Sequence, residues 1–117
     1  MNKPEFAFSH IGINSDNINE CKNMSIFLAN MFGLEENEKK NSIFVSKDIE
    51  VLKSKGFGKN GHIGFYTPDI KVAMKYLEDK GASFNFESAK LNENGEIVLI
   101  YLNEEINGFA IHLTSNK

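Results

Sequence analysis

The chain has a single cysteine, Cys21, among 117 residues. No internal disulfide can brace it, so a packed core must hold it together. No apolar run approaches the roughly 20 residues that a membrane-spanning helix needs, and Met1-Asn2-Lys3-Pro4-Glu5 lacks the apolar core of a signal peptide. Positive charge is not in excess either. Thirteen basic against 16 acidic residues leave a net charge of −3 and a pI near 5.6, and the basic residues are scattered rather than striped along one helix. That excludes an electrostatic surface for nucleic acid. These absences lead to the expectation of a soluble, cytoplasmic protein with no nucleic-acid or membrane partner. Cys21 falls on the same helical side as Met24, Leu28 and Met31. With no cation beside it in sequence, it reads as packing rather than as a reactive thiol.

What the chain does contain is a repeat. His10-Ile11-Gly12-Ile13-Asn14-Ser15-Asp16-Asn17-Ile18 aligns without a gap on His62-Ile63-Gly64-Phe65-Tyr66-Thr67-Pro68-Asp69-Ile70, sharing His, Ile, Gly and the final Ile. In the second copy a strand leads into a helix with Thr67 as N-cap, Pro68 in the first position and Asp69 against the helix dipole. Ile70, Ala73, Met74 and Leu77 form one apolar stripe, and Gly81 is the left-handed stop. The first copy predicts a helix from about 17 to 32, with Phe27, Leu28, Met31 and Phe32 as core, and a stop at Gly33.

Around this repeat the chain reads as one domain over 1–117, with a first module over about 5–54, a linker over 55–61 and a second module over about 62–115. Phe6 to Ile13 alternates as a strand, with Phe6, Phe8, His10 and Gly12 on one face. The polar stretch 34–41 holds only a short exposed edge strand, and 42–46 with 49–54 form a hairpin around Lys47-Asp48. The linker carries three glycines. Beyond Gly81 come a strand over 82–86, a turn at Asn94-Gly95, an apolar strand over 97–102 buried on both faces, a turn at Asn107-Gly108 and a last strand over 109–114. The fold class predicted is α+β: two βαβββ modules whose half-rolled mixed sheets surround a shared cavity, backed by helices at 17–32 and 68–80.

Three histidines sit at addresses that the repeat relates. His10 and His62 open the two copies, and His112 lies in the last strand. Ile49-Glu50-Val51-Leu52 aligns on Ile111-His112-Leu113-Thr114, which makes Glu50 the partner of His112. Folded with equivalent faces inward, three imidazoles and a carboxylate converge as a metal site in kind. Taken singly, each is an ordinary strand histidine or surface carboxylate.

The halves resemble the vicinal oxygen chelate superfamily, which includes glyoxalase I, methylmalonyl-CoA epimerase, extradiol dioxygenases, and fosfomycin- and bleomycin-resistance proteins. The resemblance rests on His10 in Ser-His-Ile-Gly, Glu50 in Ile-Glu-Val-Leu, His62 in Gly-His-Ile-Gly and His112 in Gly-Phe-Ala-Ile-His-Leu. It implies that these four residues hold a divalent metal (Ni, Zn, Co, Fe or Mn). His112 departs from glyoxalase I, which carries Glu there, so Glu50 is the one carboxylate left and the candidate catalytic base. The implied activity is that of a lyase or isomerase that chelates vicinal oxygens of a small substrate and transfers a proton through an enediolate. If the substrate is a hemithioacetal of methylglyoxal, a thiol cosubstrate is needed, as for a lactoylglutathione lyase. A homodimer is expected, because a half-rolled sheet leaves apolar surface uncovered. The alternative reading is a metal-free ligand-sequestering protein of the bleomycin-resistance type; thiol transfer to an epoxide antibiotic fits less well without the last-strand Glu. The stretch 106–113 also resembles glyoxalase-like domains labelled as 2-keto-3-deoxyphosphogluconate aldolase, although nothing in the chain has aldolase chemistry.

Overall fold

The computed structural model describes residues 2–117. The elements run β1 (Ala7–Ile13), α1 (Ile18–Phe32), β2 (Glu36–Glu38), β3 (Ser42–Val45), β4 (Ile49–Leu52), β5 (Gly61–Tyr66), α2 (Ile70–Asp79), β6 (Phe84–Leu91), β7 (Ile97–Ile106) and β8 (Phe109–Thr114). This is βαβββ written twice. The two sets of four strands join edge to edge in one eight-stranded sheet, in the order β2-β3-β4-β1-β5-β8-β7-β6. The seam is the antiparallel pair β1–β5, and each of these two strands pairs on its other side with the last strand of its own module, β4 or β8, in parallel. A pseudo-twofold axis through the seam therefore relates the halves and puts both copies of His-Ile-Gly at the centre of the sheet.

Both helices lie on one face. α1 covers Ile43, Val45 and Val51, with Cys21 buried among them and its Sγ 3.3 Å from the Val51 carbonyl. α2 covers Phe84, Ile100 and Leu113 with Ile70, Ala73 and Met74. Cys21 is thus a packing residue, and burial raises its thiol above the usual range.

Several local expectations are corrected. α2 starts at Ile70, and its N-cap is Asp69, whose side chain accepts from Val72 N, not Thr67. Thr67 is instead fully buried and its N–H donates to the Thr114 carbonyl, prolonging the β5–β8 ladder. Its Oγ1 has no hydrogen-bond partner, because the helix starts three residues on and Asp69 is the residue that directly precedes it. On α1, Leu28 packs inward, but Phe27, Met31 and Phe32 are exposed at 57%, 64% and 68%. The helix is apolar over too much of its circumference for one sheet face to cover. β6 begins and ends later than expected, at Phe84 and Leu91, and β7 runs on to Ile106. Within β7, Ile100 and Tyr101 are buried, while Ile97, Val98, Leu99 and Leu102 are half-buried. The register of β1 shifts between Phe8 and His10, so Phe8 pairs with Phe65 and His10 with Gly64. Phe65 and Gly64 are neighbours on β5 and face opposite sides, so the bulge separates Phe8 from the face that carries His10.

Candidate metal centre

Register alone assembles the centre. Gly12 on β1 pairs with Glu50 on β4 and with His62 on β5. Gly64 on β5 pairs with His10 on β1 and with His112 on β8. Each glycine of the repeat thus lies between two functional side chains on the helix-free face. The rings lie over these glycines. A Cβ on Gly12 would fall 2.1 Å from His62 Cε1, and one on Gly64 would fall 2.8 Å from both His10 Cε1 and His112 Nε2. Gly12 and Gly64 are therefore site residues, which the sequence reading used only as letters of the repeat. Their signal is the recurrence of Gly two residues after His, on the same strand face.

The structure brings the three histidines together, and Glu50 joins them through His62 and His10. His10 Nε2 is 3.2 Å from His62 Nε2 and 3.4 Å from His112 Nε2. Glu50 Oε1 is 3.2 Å from His62 Nε2 and 3.5 Å from His10 Nε2. The donor atoms of the three histidines all lie within 4.8 Å of one another. Donors bound about 2.1 Å from a common centre lie about 3.4 Å apart in a tetrahedral arrangement and about 3.0 Å apart at right angles. The imidazole separations of 3.2 and 3.4 Å have that spacing, so the three histidines fit a divalent ion, with Glu50 beside two of them.

The surrounding contacts orient the donors. His10 Nδ1 is 2.8 Å from Ser9 Oγ and His112 Nδ1 is 3.4 Å from the Leu113 carbonyl. A proton held on Nδ1 in each leaves the Nε2 lone pair facing the centre. Ser42 Oγ donates to Glu50 Oε2 at 2.8 Å, leaving Oε1 for the imidazoles. Buried His62 Nδ1 has no hydrogen-bond partner; its place is over Gly12. On the same face Tyr101 is buried, its ring 4.9 Å from that of His112 and 6.0 Å from that of His62.

Electrostatics keep the His10 and His112 imidazoles neutral and the Glu50 carboxylate charged. Burial lowers His112 to about 3, with His62 and His10 acting in the same sense. Burial also lowers His10, against the opposing pull of Glu50. Burial on its own would raise Glu50, but hydrogen bonds from His62 and Ser42 and the nearby imidazoles outweigh it, so the carboxyl lies below its usual range. Burial and the charge of Glu50 raise the Tyr101 phenol.

No protein-family model matches the chain, and no curated protein matches it. Solved structures do. The hypothetical protein BH1468 from Bacillus halodurans C-125 superposes with a TM-score of 0.68 over 97% of this chain and 96% of its own, at 15% identity. A methylmalonyl-CoA epimerase superposes with a TM-score of 0.65 over 97% of both chains at 15% identity, and the epimerase from Mycobacterium tuberculosis with 0.62 over 92% and 85% at 12% identity. The chain has the glyoxalase-like fold of these structures. No helix among the described residues is long and apolar enough to cross a membrane.

The glyoxalase-like fold carries its buried histidines at a cost in acid. In metal-free protein, the unfolded chain's imidazoles take up protons near pH 6.5, whereas His10 and His112 in the folded state do so only at lower pH. Their contribution is fully present above that pH and is lost as the pH falls below it, for His112 down to about pH 3, by up to about 1.4 kcal/mol per pH unit. Glu50, also lowered, acts in the same direction below the ordinary carboxylate range. Denaturant midpoints of chelator-treated protein should therefore fall steadily from pH 7 to pH 4.5, and His112→Gln should flatten that fall.

Proposed function

We propose that this chain is a metal-dependent enzyme of the lyase or isomerase type that binds vicinal oxygens of a small substrate and moves a proton beside them. The observation that carries this reading is the clustering of His10, His62 and His112 at the middle of the sheet, their donor atoms within 4.8 Å of one another, with Glu50 Oε1 against His62 Nε2 and His10 Nε2. Three imidazoles and one carboxylate suit zinc, nickel, iron or cobalt better than magnesium or calcium. A divalent ion held there would supply Lewis acidity, stabilising the negative charge that develops on two adjacent oxygens when the carbon beside them loses its proton. The three histidines would fix the centre, and a donor set with a single carboxylate would leave it net positive toward that anion.

Glu50 is the base in this reading. It is ionised at neutral pH and so ready to accept a proton, and Ser42 holds its Oε2 while Oε1 faces the centre. His112 stands where glyoxalase I has Glu, so the second-module carboxylate is missing and the proton must move on and off Glu50 alone. In deuterium oxide, metal-loaded protein should exchange the carbon-bound hydrogen of the hemithioacetal of methylglyoxal with a thiol. Glu50→Gln should lower that exchange by about 100-fold or more, while losing less of its metal than of its activity. Equal exchange by parent and Glu50→Gln would remove Glu50 as the base. Protein purified without chelator that binds ligands but holds no metal would favour the ligand-sequestering alternative.

We also infer a homodimer, supported by the exposed apolar side chains Phe27, Met31 and Phe32 on α1. Sedimentation at micromolar concentration should give twice the chain mass; a monomer would contradict it.

A further inference from the structure

The four donors lie between two unlike ends of the cleft. At the Gly61 end, the segment 53–60 between β4 and β5 crosses the sheet and is pinned there. Asn14 clamps it from β1's end: Asn14 Oδ1 accepts from Gly56 N at 3.0 Å and Asn14 Nδ2 donates to the Gly58 carbonyl at 2.9 Å. Gly58, at φ +83°, packs so closely that a Cβ there would fall 2.1 Å from the Gly61 carbonyl oxygen and 2.8 Å from Ala110 N. The clamp presents Phe57, whose ring stacks on Tyr101 at 4.2 Å and 23°. Since Tyr101 packs against His112 and His62, this pair of rings walls off one side of the donors. The segment that reads in sequence as a glycine-rich linker is thus a fixed part of the site.

At the opposite end, where Ala7, Tyr66 and Thr114 lie side by side in the sheet, lies a cavity of about 760 Å³ that reaches the donors at His10, with Phe8, Phe44 and Tyr66 in its lining. The ring of Phe44 stands 5.9 Å from that of His10. The charges around it balance, Lys39, Lys47 and Lys117 against Glu5, Glu35 and Asp48, so no single-sign field selects an anion. The chain contains no arginine, the side chain that grips phosphate in a bidentate way. A smaller cavity, about 270 Å³ at the start of α2, touches none of the four donors.

We propose that the cleft admits ligand from the His10 end only, and that its ligand carries an apolar substituent, not a polyanionic one, which lies against Phe44 and Tyr66 while its paired oxygens sit at the four donors. This rests on the metal-centred reading above. Size agrees with it, because a cavity of about 760 Å³ is far larger than a three-carbon compound requires and falls within the usual range for ligands of drug size.

Zinc-loaded protein titrated calorimetrically with acetohydroxamic, benzohydroxamic and 4-carboxybenzohydroxamic acids tests it, since all three offer the same two oxygens and differ only in the substituent. Benzohydroxamate should bind on the order of tenfold more tightly than acetohydroxamate, from burial of its ring. The added carboxylate should bring no further gain. Phe44→Ala should reduce the benzo-to-aceto ratio toward one, and Phe57→Ala should leave it in place. Equal binding of the first two, tighter binding of the carboxylated ring, or a ratio lost on Phe57→Ala and kept on Phe44→Ala each overturns the proposal. If zinc-loaded protein binds none of the three, the vicinal-oxygen reading itself fails, and this inference falls with it.

Discussion

Replacing His62 by alanine is expected to weaken divalent metal binding by more than about 100-fold, beyond what is usual for loss of a residue that merely orients a ligand. His62 Nε2 stands 3.2 Å from His10 Nε2 and 3.2 Å from Glu50 Oε1, so its removal opens the set between the two modules. Thermal stability should report the loss independently of activity. Metal at a hundredfold excess over its dissociation constant stabilises a folded protein by about 2.7 kcal/mol; the parent should show such a rise and His62→Ala should not. In the metal-free state the variant loses a buried ring but also loses Nδ1, a buried polar atom without a partner. These effects oppose each other, so its metal-free stability should change less than its metal-dependent increment. Unchanged metal affinity in His62→Ala would take His62 out of the centre.

The second large effect is expected from a methyl group. Gly12→Ala places a Cβ 2.1 Å from His62 Cε1 and 2.5 Å from both ring nitrogens, a contact that the imidazole can relieve only by leaving its place. Gly12 is not among the positive-φ glycines, so the backbone accepts alanine and the cost is steric, about 1–3 kcal/mol as for other overpacked sites. Metal affinity should fall about as far as in His62→Ala. Gly64→Ala should act alike through His10 and His112, whose nearest ring atoms lie 2.8 Å from the new methyl. Gly56→Ala is the control, since its Cβ meets only the end of the Leu52 side chain at 3.0 Å and Asn14 Oδ1 at 3.8 Å. It should keep its metal. Tight metal binding by Gly12→Ala would mean that His62 ligates from a different rotamer.

The repeat made the fold legible. Two copies of His-Ile-Gly, each followed by a capped helix and three strands, imply a pseudo-twofold, and that symmetry brings Glu50 to the partner position of His112 before any coordinates exist. Features that depend on neighbouring strands were not legible. Nothing within β1 says that the ring above Gly12 comes from β5, or that Phe8 and His10 are parted by a bulge, because both follow from pairing across the seam. Thr67 has the chemistry of a cap but is claimed by the β5–β8 ladder. Phe27, Met31 and Phe32 have the composition of a core, yet α1 leans mainly on β2, β3 and β4, and one helix face suffices for that. Phe57 sits in a stretch whose glycines signal flexibility, and only the Asn14 clamp turns it into a wall.

The central claim is that these four side chains form one metal centre. Cobalt(II) titration of protein purified without chelator, followed by X-ray absorption at the metal edge, tests it most directly. The expected result is one ion per chain with a first shell of nitrogen and oxygen, an imidazole signature from three histidines, and no sulfur. No tight site, or a shell containing the sulfur of Cys21, would contradict it.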